Sequence, residues 1–186
     1  ILKKILSLAA SIIKLIILIS LSLNSNAEEN NIKYYSKDSG VLSLMYHRFN
    51  ENKYPSTNIR MEIFKQQMDI IKDLDYDFYD PNSFVENFYN RKDKKKILIT
   101  IDDGFKSFYE EAWPYLKENK IPFILFVSTE PVGKNGYMTW EEIKEIDDSK
   151  FGYIGHHSHT HEYLIDMTDS EFINDIETST KIFKDK

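Results

Sequence analysis

The 186-residue sequence contains no cysteine. That excludes disulfides and every thiolate zinc site, so a metal here can be held only by imidazole and carboxylate. Basic charge is also short. Residues 1–27 hold three of the 24 Lys and Arg and no acid, which leaves 21 against 30 Asp and Glu and a formal charge of −9 in the remainder. A nucleic-acid backbone needs a basic footprint, so nucleic acid is not an expected partner. No repeat at solenoid spacing is found. Histidine is rare, with five in the chain, yet four of them fall within His156-His157-Ser158-His159-Thr160-His161. Hydrophobic residues are plentiful at 41%, in a chain long enough for one domain with a sizeable core.

An uninterrupted apolar run of about 20 residues, the length that crosses a bilayer, is missing too. Lys3, Lys4 and Lys14 supply a positive start, and Leu15–Leu23 (LIILISLSL) a short apolar stretch. Ser25-Asn26-Ala27 then puts small residues where a signal peptidase reads. Residues 1–27 are therefore expected to be a cleaved signal peptide, residues 28–40 a linker and residues 41–186 the domain. The expected location is secreted or periplasmic. Extending the run through Ile5–Ile13 would bury Lys14 in the bilayer, and only an uncleaved segment would make the chain membrane-anchored. No cysteine stands ready for lipid attachment. The domain is expected to be truncated, since its last helical pattern has no stop signal.

Val41–His47 (VLSLMYH) reads as a buried strand ended by a polar pair, and Met61–Leu74 carries helical apolar spacing. Tyr76–Tyr79 is a short strand candidate, Pro81 opens a helical stretch to Tyr89, and Arg91–Lys96 is a charged loop. Strands are expected at Lys96–Ile101, Ile121–Val127 and Phe151–Ile154, and helices at Phe105–Asn119, Thr139–Asp147 and from Asp169 onward. Thr139 with Glu142 forms a capping box. Alternating strands and helices indicate an α/β fold with parallel strands, whose functional groups gather beyond the strands' carboxyl ends. Three polar sets fall there: His47, Asp102 with Asp103, and the histidine cluster.

Asp102-Asp103-Gly104 directly follows an apolar strand. The plain reading is a turn or a helix cap. Adjacent side chains leaving a strand point in different directions, so one carboxylate can bind a metal while the other serves as a base. His157 and His161 share a face on a helix and also on an extended strand, a spacing at which two imidazoles reach one zinc. His159 shares that face only in an extended segment, and His156 points elsewhere. The plain reading of the cluster is a histidine-rich loop. Two His and one carboxylate form an open catalytic metal set. Trp140 reads as a core anchor of its helix, although with Tyr137 and Met138 it also stands where a sugar site could be lined.

TIDDG and HSHTH resemble the first two motifs of the polysaccharide deacetylases, the NodB-homology domain of carbohydrate esterase family 4. The resemblance covers roughly residues 41–165. It implies a distorted (β/α) barrel, here incomplete at its C-terminus, with a divalent metal, usually Zn2+. It implies Asp103, His157 and His161 as metal ligands and Asp102 as the base that activates water. It also implies an oxyanion held partly by a backbone N–H near Ile101–Phe105 or in the 128–133 loop. His159 becomes the variable residue between ligands.

The sequence departs from the family pattern at Ile101, where Phe is usual, and in lacking the later Arg-Pro-Tyr, Asp-Trp and Leu-x-His motifs. LSLMYHRF resembles the biofilm poly-N-acetylglucosamine deacetylases, in which a permuted barrel takes its acid from a His on an early strand; that implies His47. The plain reading of His47 is a strand-end cap. The expected function is removal of N-acetyl groups from a GlcNAc-containing polysaccharide, with an O-acetyl esterase on a xylan-like glycan or an inactive glycan-binding relative as alternatives.

Overall fold

The computed structural model describes residues 40–84 and 95–186. The expected signal peptide, the linker up to residue 39, residues 85–89 of the second helical stretch and residues 91–94 of the charged loop lie outside them.

The fold is α/β, built on a parallel sheet. Its centre is β5 (Lys96–Asp102), where Ile97, Ile99 and Ile101 are buried. β1 (Val41–Tyr46) pairs with β5 from Val41↔Lys96 to Tyr46↔Ile101. β6 (Phe123–Val127) pairs with β5 from Ile99↔Phe123 to Asp102↔Phe126, and β7 (Gly152–His156) continues the sheet by pairing with β6. The short β4 (Asp77–Phe78) pairs with the first two residues of β5. Every pairing is parallel, so β1, β5, β6 and β7 end at one edge. His47, Asp102 with Asp103, Ser128 and His156 with His157 are thereby brought to that edge by register alone.

Among the described residues the sheet is open, in keeping with an incomplete barrel. Helix α1 (Met61–Asp73) buries Met61, Phe64, Met68 and Ile71 at helical spacing. A π-helical turn, Phe108–Ala112, leads into α2 (Trp113–Asn119), and the two bury Phe108, Trp113 and Leu116. Helix α3 (Trp140–Asp147) starts on the expected capping box, with Thr139 N donating to Glu142 Oε2 at 2.9 Å. Helix α4 (Asp169–Asp185) starts on a second one, Thr168 with Glu171. No helix among the described residues is long and apolar enough to cross a membrane.

One expectation is corrected, and one helix start shifts by a residue. β1 is not a buried strand: Leu44 and Tyr46 pack on the core, but Val41, Leu42 and Met45 are exposed. Among the described residues β1 has a neighbour on one side only, so an apolar run that would be covered in a central strand stays open at an edge. The helix after β5 begins at Lys106, because Phe105 is held in a bridge to Tyr137. The Pro81 stretch opens as a 3-10 turn, Pro81–Ser83, capped by Asp80. A two-residue parallel pair, β2 (Arg48–Phe49) with β3 (Asn58–Ile59), had no visible sequence signal. Trp140 is partly buried against the core, meets Phe183 edge-on and lines an open groove with His156 and Thr180, whereas Met138 is fully buried and lines no open site.

Candidate active site

β5 runs straight through Asp102 and then breaks. Asp103 has φ +75° and Gly104 φ +76°, two successive left-handed residues. A glycine takes that conformation freely, whereas Asp103 holds it at a cost that the surrounding bonds must offset. The turn separates the two neighbouring carboxylates. Asp103 Oδ1 lies 2.9 Å from His161 Nε2 and 3.2 Å from His157 Nε2. Asp102 Oδ2 lies 4.0 Å from His47 Nε2. Both acids are buried, and neither Asp102 Oδ1 nor Asp103 Oδ1 has a hydrogen bond of ordinary geometry.

His157 and His161 meet neither on a helix nor on an extended strand. They flank a tight loop in which Ser158 (φ +63°) and His161 (φ +62°) are left-handed, and their rings stand 4.9 Å apart at 65°. The loop's bonding accounts for this shape. His157 N donates to Val127 O, Ser158 N to His156 Nδ1, and His161 N to Ser158 Oγ. The amides of His159 and Thr160 donate to Asp175 on α4. His156 and His159 therefore do not approach the ligand cluster. His156 accepts the Ser158 amide and packs on Phe183, while His159 Nδ1 pairs with Thr129 Oγ1 at 2.8 Å.

The two carboxylates titrate in opposite directions. Burial pushes Asp102 above its ordinary value, against the pull of His157 and His47. Burial acts on Asp103 too, but His157, His161 and His47 hold it below the usual carboxylate range. His157 is raised by Asp103. Of the two adjacent acids, Asp103 is the one held ionised and Asp102 the one with the higher proton affinity.

A metal fits this donor set. One oxygen of Asp103 and one nitrogen each of His157 and His161 lie within 4.8 Å of one another, two borderline imidazole ligands and one carboxylate without thiolate. The buried, unbonded Asp103 Oδ1, faced by two imidazole nitrogens, is the partner such an ion would satisfy.

Arg48, beside His47, went unnoticed in the sequence. Its guanidinium lies 3.4 Å over the Phe105 ring and 4.4 Å from the Tyr54 ring, and it pairs with Glu51 at 2.9 Å. Ser107 donates to Glu51 and accepts from Phe49 N, which ties the segment after β1 to the one after Asp102-Asp103-Gly104. Tyr137 stacks on Phe105 at 4.9 Å. In the 128–133 loop the amides of Thr129, Glu130 and Gly133 are bonded to Ser158, His159 and Met138. Those three are not free to meet an oxyanion.

The family pattern described as polysaccharide deacetylase matches residues 89–186. The poly-beta-1,6-N-acetyl-D-glucosamine N-deacetylase of Staphylococcus aureus (strain N315) is 25% identical over 190 residues, covering 84% of this chain and 64% of that protein. The structure of IcaB from Ammonifex degensii superposes with a TM-score of 0.69 at 28% identity, covering 79% of this chain and 69% of that one. The Streptococcus pyogenes deacetylase PplD in complex with acetate gives a TM-score of 0.65 at 23% identity over 75% of this chain and 65% of that one, a likeness of fold alone. The chain spans between half and two thirds of the length of the curated relatives it matches.

Proposed function

The chain belongs to the polysaccharide deacetylase family, and on that premise we propose that it is a metal-dependent hydrolase removing N-acetyl groups from a GlcNAc-containing polysaccharide. The observation that carries the reading is the convergence of His157 and His161 on the buried Asp103 Oδ1, with Asp102 free beside it. Asp103, His157 and His161 would hold the metal, and Zn2+ is the ion this donor set suits. When bound, such an ion acts as a Lewis acid toward an acetamide carbonyl and lowers the pKa of water.

The chain's own residues supply the proton transfers. Asp102, raised by burial, takes the proton of the attacking water as its oxygen bonds to the carbonyl carbon. His47, 4.0 Å from Asp102, donates to the amide nitrogen as the C–N bond breaks, releasing acetate and an amine. With three amides of the 128–133 loop already bonded, the oxyanion donor is assigned to the Ile101–Phe105 segment. Arg48 and Glu51 hold His47's segment against that one. The pattern of residues 1–27 supports export, so the substrate is taken to be an extracytoplasmic polymer.

Zn2+-loaded protein incubated with poly-β-1,6-N-acetylglucosamine oligomers should release free amine and acetate in equal amounts. Acetate released from acetylxylan without activity on the oligomers would make it an O-acetyl esterase. Glycan binding with no acetate from either substrate would make it an inactive relative.

A further inference from the structure

The loop bearing both histidine ligands is shaped from a helix outside the two motifs. We propose that Asp175 on α4 is a positioning residue for metal binding, setting the separation of His157 and His161. This rests on the reading of Asp103, His157 and His161 as a metal centre.

Only residues 158–160 lie between the two ligands, so whatever fixes those three fixes where the imidazoles point. Asp175 is 4% exposed and accepts three bonds from this stretch. His159 N donates to its Oδ1 at 2.7 Å, Thr160 N to its Oδ2 at 2.8 Å, and Thr160 Oγ1 to the same Oδ2 at 2.7 Å. These are short, charge-assisted bonds, stronger than bonds between neutral partners. Four residues on, Ser179 shares the same helix face, is fully buried and donates to Ser158 O at 3.0 Å.

The α4 face thus grips all three intervening residues. The gripped segment includes Ser158 in the left-handed region, a conformation the chain abandons when its bonds are removed. From the sheet side, Thr129 N and Glu130 N donate to the Ser158 and His159 carbonyls. The β6 side therefore satisfies carbonyls, while α4 satisfies the two amides through Asp175 and the Ser158 carbonyl through Ser179. Without Asp175 two partly buried N–H groups lose their partner, and the turn must open to find water. Opening it moves His157 and His161 apart, while Asp103, in the turn directly after β5, stays in place.

The test titrates the metal-stripped full chain with Zn2+ against a chromophoric chelator, beside a thermal melt of each variant. Asp175→Asn keeps the shape but sets an NH2 against the loop amides, and should weaken Zn2+ binding about 10- to 100-fold. Thr160→Val, which removes one of the three bonds, should produce a smaller loss in the same direction. Met68→Ala, a buried α1 residue away from the loop, should melt lower and bind Zn2+ as the wild type does. The proposal is overturned if Asp175→Asn binds within about threefold of wild type against that expected range, or if Met68→Ala loses as much affinity. Should Asp175→Asn fail to fold, Thr160→Val and Ser179→Ala decide, and wild-type affinity in both overturns it. A wild-type chain that binds no Zn2+, or binds it equally with His157→Ala, refutes the metal-centre reading itself and the positioning role with it.

Discussion

Asp102→Asn separates the two adjacent acids by function. Asparagine matches aspartate in shape but cannot take a proton, so the change removes a base and little else. Asp102 Oδ1 has no hydrogen-bond partner, and Oδ2 lies 4.0 Å from His47 Nε2, beyond hydrogen-bond distance, so the substitution strands neither. Asp103 faces His157 and His161 at 3.2 and 2.9 Å and is not free to replace it. Loss of a positioned general base costs about 10²- to 10⁴-fold in rate, or about 3–5 kcal/mol of transition-state stabilisation. Zn2+ content should remain at wild-type level. The pH profile adds a second signature. Burial raises Asp102, so the acid limb of kcat/KM should lie above pH ~4, the ordinary carboxylate value, and should vanish from the residual activity of the variant. Amine release from poly-N-acetylglucosamine oligomers, followed across pH and paired with metal analysis, measures both. Activity within about tenfold of wild type would refute the base assignment, since it falls below the 10² minimum expected for a base. Loss of metal would mean that Asp102 and Asp103 have exchanged roles.

His47→Gln should lower turnover by about 10²-fold or more while Zn2+ content holds, the mark of a lost acid; wild-type turnover would move that role elsewhere. In metal-stripped protein, Asp103 raises His157 above its unfolded value, so the stabilisation is full below about pH 6.5 and is lost as pH rises through the folded value. Thermal melts should therefore fall with rising pH above that point, and His157→Gln should flatten the slope; an unchanged slope would assign it to another group. Gly155→Ala would place a methyl 2.4 Å from the Phe126 ring, paired across the sheet. A destabilisation of about 1–3 kcal/mol is expected, measured by urea unfolding; a neutral result would show that the ring yields freely.

The sequence carried the edge of the site well, because register in a parallel sheet follows from hydrophobic runs. Once Lys96–Ile101, Ile121–Val127 and Phe151–Ile154 are strands, His47, Asp102 and the histidines must share an edge. The Thr139–Glu142 capping box was readable, since the bonds that make it are local. Side-chain cover was not readable: Val41–Tyr46 has the composition of a central strand, and only its neighbours make it an edge. Nor was the route by which His157 meets His161. The spacing fits a helix or a strand, and the chain uses neither. Arg48 and Asp175 were invisible for the same reason. Arg48 stacks on a ring 57 positions on, by subtraction of the residue numbers, and Asp175 bonds amides 15 and 16 residues away. A single sequence shows no such contacts.

The strained residues explain why the missed contacts matter. Asp103, Ser158 and His161 are left-handed without being glycine, and two of them are proposed ligands while the third lies between ligands. Such conformations cost of order 1–3 kcal/mol each and persist only where the surroundings fix them. Around Ser158 and His161 those surroundings are the Ser158 Oγ bond from the His161 amide, the Ser179 bond to Ser158 O and the two amides on Asp175. None of these bonds involves a metal. On the proposed reading these bonds alone hold the two imidazoles toward Asp103, and we propose that binding spends little free energy on folding the loop. A site assembled in that way should show high-affinity, pH-dependent metal uptake without a large change in secondary structure. A loop ordered by the ion would show the opposite, and circular dichroism of stripped and loaded protein distinguishes the two.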